Sequence, residues 1–227
     1  MGKSVPGIWR LLRRLGFSRK QAQKFVRSPD PLYACKWRAI LQAYAQMVAT
    51  PDTVTLLFMD EISYYRQPSP APAYHHQGHT HPKAWQAPRA NTQTRVVASL
   101  DANTGQVVYQ QRNQITLTIF ASFCAQLRAA YPKVPLLYLV MDNWPLHTSP
   151  VAQAAMAEQR IVPLYLPTYA SWLNPIEKLW RWLRQDILHL HNHALDLEPL
   201  RAQVCHFLDQ FATSSLQLLR YVGLPVG

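Results

Sequence analysis

Three short apolar runs stand out along the chain, at residues 54–59, 136–141 and 161–166. Runs of this length with almost no polar interruption predict strands buried on both faces of a sheet. Residues 96–100 and 107–111 are also strand-like and flank Asp101-Ala102-Asn103-Thr104-Gly105, a turn sequence, so they predict a hairpin. Helical spacing appears elsewhere. Ile8, Leu11, Leu12 and Leu15 form one stripe over residues 6–15, closed by Gly16. Asp30-Pro31 is a helix-start signal before Tyr33, Trp37, Ile40, Leu41, Tyr44 and Val48, an aromatic stripe suited to packing on the next domain. Residues 116–131 predict a helix with Ile119, Phe120, Phe123, Leu127 and Ala130 inward, and further helices are expected over 149–159 and 197–212. Asn174 reads as an N-cap and Pro175 as the first helical residue. Ile176, Leu179, Trp180, Leu183 and Ile187 then give that helix a buried face. Residues 66–91 have no period and predict a long loop.

The order strand, hairpin, helix, strand, helix, strand, helix predicts an α/β fold, a mixed sheet flanked by helices. Three segments are expected: residues 1–50 as a basic helical appendage, 51–215 as the main domain and 216–227 as a C-terminal tail. A chain of 227 residues with 48% hydrophobic content can bury such a core.

Charge changes the picture once it is divided. Of the net +11, residues 1–50 carry +9, with ten Lys or Arg against the single acid Asp30. Residues 51–227 carry +2, with thirteen basic residues against eleven acids. A segment that basic suits a polyanion, nucleic acid above all, and the candidates for DNA contact are Arg10, Arg13, Arg14, Arg19, Lys20 and Lys24. No apolar run reaches membrane-spanning length, and the basic start lacks the apolar stretch of a secretion signal. Cys35, Cys124 and Cys205 are far apart and read as reduced core thiols, so a cytoplasmic, nucleoid-associated protein is expected.

The candidate chemistry lies in the acids. Asp60 and Asp142 each follow an apolar run, and Glu177 falls in the first turn of the helix begun at Asn174. In open α/β sheets the site forms at strand ends, so Asp60 and Asp142 are expected on one rim. Gathered carboxylates repel unless a cation neutralises them. An Asp, Asp, Glu set without Cys or a clear histidine triad favours Mg²⁺ or Mn²⁺ over Zn²⁺, and two such ions suit in-line phosphoryl displacement. Read alone, Glu177 is equally a dipole-compensating residue.

Met59-Asp60-Glu61, Met141-Asp142-Asn143-Trp144-Pro145-Leu146-His147 and Leu173-Asn174-Pro175-Ile176-Glu177 resemble the three catalytic blocks of mariner-like bacterial insertion-sequence transposases, the DDE class. The 34 residues between Asp142 and Glu177 match that family's spacing. The resemblance covers roughly residues 5–215. It implies an RNase H-like fold and a metal-dependent DNA transposase with Asp60, Asp142 and Glu177 as catalytic and metal-binding residues. It also implies strand cleavage and transfer by cut-and-paste, usually into TA sites, by a homodimer holding terminal inverted repeats and target DNA. Residues 1–50 then read as a partial helix-turn-helix remnant, a basic linker and a connecting helix. Two other functions fit the residues: an RNase H-like nuclease without strand transfer, and an inactive DNA-binding remnant acting as a regulator.

Neighbouring residues carry paired readings. Glu61 alternates away from Asp60 and either supports the site from behind or lies on the surface; Asn143 orients Asp142, contacts phosphate or simply turns the chain. His147 approaches the scissile phosphate or is structural, and Asn174 supports the site or only caps its helix. Arg181 and Arg184 bind the DNA backbone or form a solvated face. His75, His76, His79 and His81, and separately His189, His191 and His193, invite a zinc reading but fit DNA contact or plain exposure better. Trp85 and Arg89 clamp DNA, or Trp85 pins the loop to the core.

Overall fold

The computed structural model describes residues 5–18, 27–88 and 91–225. Five strands form one sheet in the order β3-β2-β1-β4-β5. They are β1 (Val54–Tyr65), β2 (Gln93–Asp101), β3 (Val107–Arg112), β4 (Leu136–Met141) and β5 (Ile161–Tyr165). β1 pairs antiparallel with β2 and parallel with β4. β2–β3 is the expected antiparallel hairpin, and β4–β5 is parallel.

Alternation along β1 divides the core in two. Leu56, Phe58, Ile62 and Tyr64 point to one face, covered by α2 (Tyr33–Ala49), α6 (Ile176–Leu183), α7 (Glu198–Asp209) and α8 (Leu216–Val222). Leu57 and Met59 point to the other face, under α3 (Leu117–Ala130) and α5 (Pro150–Glu158). The remaining helices are α1 (Val5–Arg14) and the single turn α4 (Pro145–Thr148).

Several elements differ from expectation. β1 does not end at Asp60-Glu61; it runs twelve residues, to Tyr65. Its pairing with β4 stops at Phe58↔Val140, whereas β2 continues beside it to Tyr65↔Gln93. The antiparallel neighbour therefore carries β1 beyond its parallel one. α2 begins at Tyr33, three residues after Asp30, and its buried residues are Ile40, Ala43 and Met47, while Leu41 and Val48 are exposed. In α3 the inward place expected for Ala130 is taken by Cys124. Cys35 is exposed rather than in the core, and all three thiols are free.

The largest difference is at the C-terminus. Residues 216–222 are not a tail but the helix α8, with Leu218, Leu219 and Val222 buried. Ser215 caps it, its hydroxyl accepting from the Leu218 amide. Lys178 of α6 reaches across to donate to the Val222 carbonyl at 2.6 Å. A close approach fixes the other end. Gly105, at φ 73°, lies where an added Cβ would stand 2.4 Å from the Ser215 carbonyl oxygen.

Every described residue of 7–18 is exposed, including Ile8, Leu11, Leu12 and Leu15. Arg10, Arg13 and Arg14 line α1, with the Arg13 guanidinium 5.0 Å from the Trp9 ring centre. Arg19, Lys20, Lys24 and Arg89 lie outside the described residues. Residues 66–88 are irregular as expected, and His75, His76, His79, His81 and Trp85 are exposed along them. Trp85 therefore does not pin the loop; the Lys83 ammonium lies 5.4 Å from its ring centre. Among the described residues no helix is long and apolar enough to cross a membrane.

If α8 belongs to the core, Leu219→Ala will destabilise the protein by about 2–5 kcal/mol, read as a lowered urea midpoint with unchanged slope. A loss below about 0.5 kcal/mol, typical of a surface position, would detach α8 from the core.

Candidate active site

Asp60 sits two residues past the last β1–β4 pair, Phe58↔Val140, and Asp142 sits two residues past the same pair on the other strand. The parallel register thus brings the two acids out at the same end of the sheet, just past the paired segment. Glu177 arrives on α6 from the loop after β5. Asp60, Asp142, Asn143, Asn174 and Glu177 line one cavity of about 610 Å³. The expected convergence of the three acids on one rim is therefore present in space, although 34 residues separate Asp142 from Glu177.

α6 is anchored from below. Ile176, Leu179, Trp180 and Leu183 are fully buried. Trp180 also donates from Nε1 to Asp60 Oδ2 at 3.0 Å, tying the helix that bears Glu177 to the strand that bears Asp60. Asn174 corrects the capping expectation: its side chain makes no cap, and Nδ2 instead donates to the Met59 carbonyl at 2.9 Å. A polar side chain this buried, 4% exposed, meets a strand carbonyl rather than water. α6 then runs into a π-turn, Arg184–Leu188, closed by the His189 amide on the Arg184 carbonyl. Arg181 and Arg184 are exposed and share a cleft with Glu177 and His189.

Behind Asp142 lies a buried relay. His147, 1% exposed, has Nδ1 2.9 Å from Asp142 Oδ1 and Nε2 3.0 Å from Glu61 Oε1. Ionised carboxylates only accept, so both ring nitrogens donate and the imidazole carries a charge. Burial opposes that charge, but the two carboxylates win and push its pKa up to about 9. The ring packs between Phe120 and Trp144, which meets it edge-on. His147 thus faces away from substrate and does not approach a phosphate; Glu61 points to its side of the sheet and supports Asp142, not Asp60.

Asn143 also has a structural place. Its Nδ2 donates to the Leu166 carbonyl at 2.6 Å, and its Oδ1 accepts from Lys36 Nζ at 3.2 Å. Lys36 pairs with Asp30 at 2.8 Å, and Asp30 accepts from the Thr168 amide at 2.9 Å. These bonds hold the Asp30 carboxyl well below the usual range, Lys36 contributing most. The start of α2 is so fastened to the loop roofing the cavity. Neither Asp30 nor Lys36 was a candidate from sequence, because the contact spans more than 130 residues.

The acids differ in electrostatics. Burial first, then the charges of Glu177 and Glu61, push the Asp60 pKa up to about 7. Burial also raises Glu177, opposed by Arg184 and Arg181. At Asp142 burial raises the pKa, but the His147 bond and the Trp144 amide outweigh it and the net direction is down. The donors facing the cavity are carboxylate oxygens, which fit a hard divalent cation, and the charge held back at Asp60 is the charge a cation would release. Among the described residues no three His, Cys, Asp or Glu side chains form a ready-made metal cluster, so the acids surround the cavity without closing on one point. The same holds for the expected histidine groups and zinc, although His191 and His193 stack at 5.9 Å.

Residues 55–201, about two thirds of the chain, match the family described as DDE superfamily endonuclease. The chain belongs to that family. Other likenesses agree. The insertion element IS630 uncharacterized 39 kDa protein of Shigella sonnei is 25% identical over 203 residues, 89% of this chain and 57% of that protein. The Mos1 strand transfer complex superposes with a TM-score of 0.66 at 15% identity, covering 96% of this chain and 66% of the Mos1 chain. The Mos1 mariner paired end complex with Mn gives 0.62 at 14% identity over 97% and 67%. This DDE endonuclease chain thus spans little more than half of its curated relative, and its fold is the RNase H-like fold of the Mos1 catalytic domain.

The relay sets a pH dependence in metal-free protein. The folded pKa of His147 is raised from 6.5 to about 9, so its contribution is fully present below pH 6.5 and lost as pH rises to about 9. In EDTA, wild type should lose of the order of 1–3 kcal/mol between those limits, and His147→Gln should flatten the profile. Parallel wild-type and variant curves in urea unfolding would refute the relay.

Proposed function

We propose that this chain is the catalytic domain of an insertion-sequence transposase, which cleaves DNA at the element's ends and joins the freed 3′ end to target DNA. The convergence of Asp60, Asp142 and Glu177 on one cavity, in a DDE endonuclease chain, carries the reading. Divalent cations, Mg²⁺ or Mn²⁺ and two in number, supply charge stabilisation for phosphoryl displacement when bound. Asp60, Asp142 and Glu177 hold them. His147, itself held by Glu61, fixes the carboxylate plane of Asp142, as outer residues fix metal ligands elsewhere. Asn174 and Trp180 keep Glu177 and Asp60 on facing walls. Arg181 and Arg184, exposed beside Glu177, take phosphates of the cut strand.

Manganese in a Mos1 paired end complex supports the cation assignment, and the strand transfer complex supports a DNA substrate. Cut-and-paste movement into TA sites, and a homodimer bringing two inverted repeats together, complete the proposal. The basic arginines of α1 add backbone affinity. A regulator without catalysis would have no use for an acid set braced by buried bonds.

Asp142→Asn should lower Mg²⁺-dependent nicking of a plasmid bearing the element's ends at least about a hundredfold, with duplex affinity within about threefold of wild type. Wild-type nicking by the variant would overturn the assignment. Nicking by the wild type without joined products would point to a nuclease.

A further inference from the structure

Beyond Asp60 the sheet continues as β1 with β2 and β3 alone, and this extension carries arginines that the catalytic reading does not use. Arg95 pairs with Ser63, three residues past Asp60, or about 10 Å along the strand. On its other side Arg95 pairs with Arg112 of β3. Cross-strand partners share a face, and like charges directly opposite one another are unfavourable. Among the described residues neither arginine has an acidic partner. With the Gln93 amide turned to face it, Arg95 donates to Gln93 Oε1 from Nε at 2.7 Å and Nη2 at 3.2 Å. Arg112 donates to the Gln111 carbonyl at 2.9 Å. These acceptors are neutral and leave both charges standing.

A third arginine shares a cleft with Arg95, whereas Arg112 lies outside it. Arg201 of α7 donates to Asn113 Oδ1 at 3.4 Å and to Glu198 at 3.3 Å, an acid whose side chain is 74% exposed. Thr92, Gln93, Arg95, Asn113, Gln114 and Arg201 line this cleft of about 740 Å³ together with the acid Glu198, which pairs with Arg201. Amide and hydroxyl groups between guanidinium groups are the donors that hold phosphate oxygens without reading base sequence.

We propose that this cleft is a second backbone-binding subsite for duplex DNA, gripping phosphates away from the one being cut. It rests on the transposase reading.

The test is duplex binding by the full chain, read by fluorescence anisotropy over a salt series, with Arg95→Gln/Arg201→Gln, Arg95→Lys/Arg201→Lys and Arg201→Gln variants. Each neutralised phosphate contact contributes about 0.9 to the slope of log affinity against log salt, so the Gln pair should flatten that slope by about 2. The Lys pair should keep the wild-type slope, and Arg201→Gln should flatten it by about 1. A folded Gln pair with wild-type affinity and slope overturns the subsite. Should the Gln pair fail to melt cooperatively, Arg201→Gln decides alone, and an unchanged slope there overturns it too. Failure of the underlying reading looks different: wild type would bind no duplex, or Asp142→Asn would still nick DNA.

Discussion

A carboxylate is half-buried at the point where two halves of the sheet part. Asp60 lies past the end of β1's parallel pairing, under α6, within reach of two other acids. Burying such a group is costly unless bonds or charge compensate it. One bond, from Trp180, does so directly. The rest of the architecture follows from supplying it. α6 must be deeply seated to deliver Trp180, so four of its residues are fully buried, and α8 packs outside them with Lys178 closing its end. Asn174 ties the helix entrance to the same strand one residue before Asp60. Glu177 is then held over the cavity by a rigid element rather than a loop.

The two walls of the cavity are stiffened by different means. On the Asp142 side, charge does the work: an imidazolium between two carboxylates removes local repulsion and sets the position of one acid. On the Asp60 side, the Trp180 bond offsets only part of the charge, and burial with neighbouring acids pushes its pKa up to about 7. Such an imbalance destabilises the protein alone and favours whatever cation completes the site. The roof is fastened from outside by Asp30, Lys36 and Asn143.

Much of this was legible in sequence because it is local. Continuous apolar runs gave β1, β4 and β5, and each of the first two led straight to an acid. What escaped was long-range. Asn174 before Pro175 has the form of a cap, yet a carbonyl 115 residues away claims its side chain. The continuation of β1 was readable in principle, since Ile62 and Tyr64 alternate with Ser63 and Tyr65, but the acids interrupt the apolar run and look like a terminus. His147 faces two acids only after β1 and β4 lie side by side. α8 is short and becomes recognisable only through the face of α6 that it covers.

The central claim is that Asp60, Asp142 and Glu177 form one cation site braced by buried bonds. Titration of Mn²⁺ by electron paramagnetic resonance, with duplex DNA present, tests it most directly by comparing wild type with Glu177→Gln and Trp180→Phe. The account predicts that wild type takes up Mn²⁺, that Glu177→Gln weakens it strongly, and that Trp180→Phe weakens it by about 10–100-fold, the usual effect of losing an outer-shell partner. Equal Mn²⁺ affinity in all three proteins would contradict it.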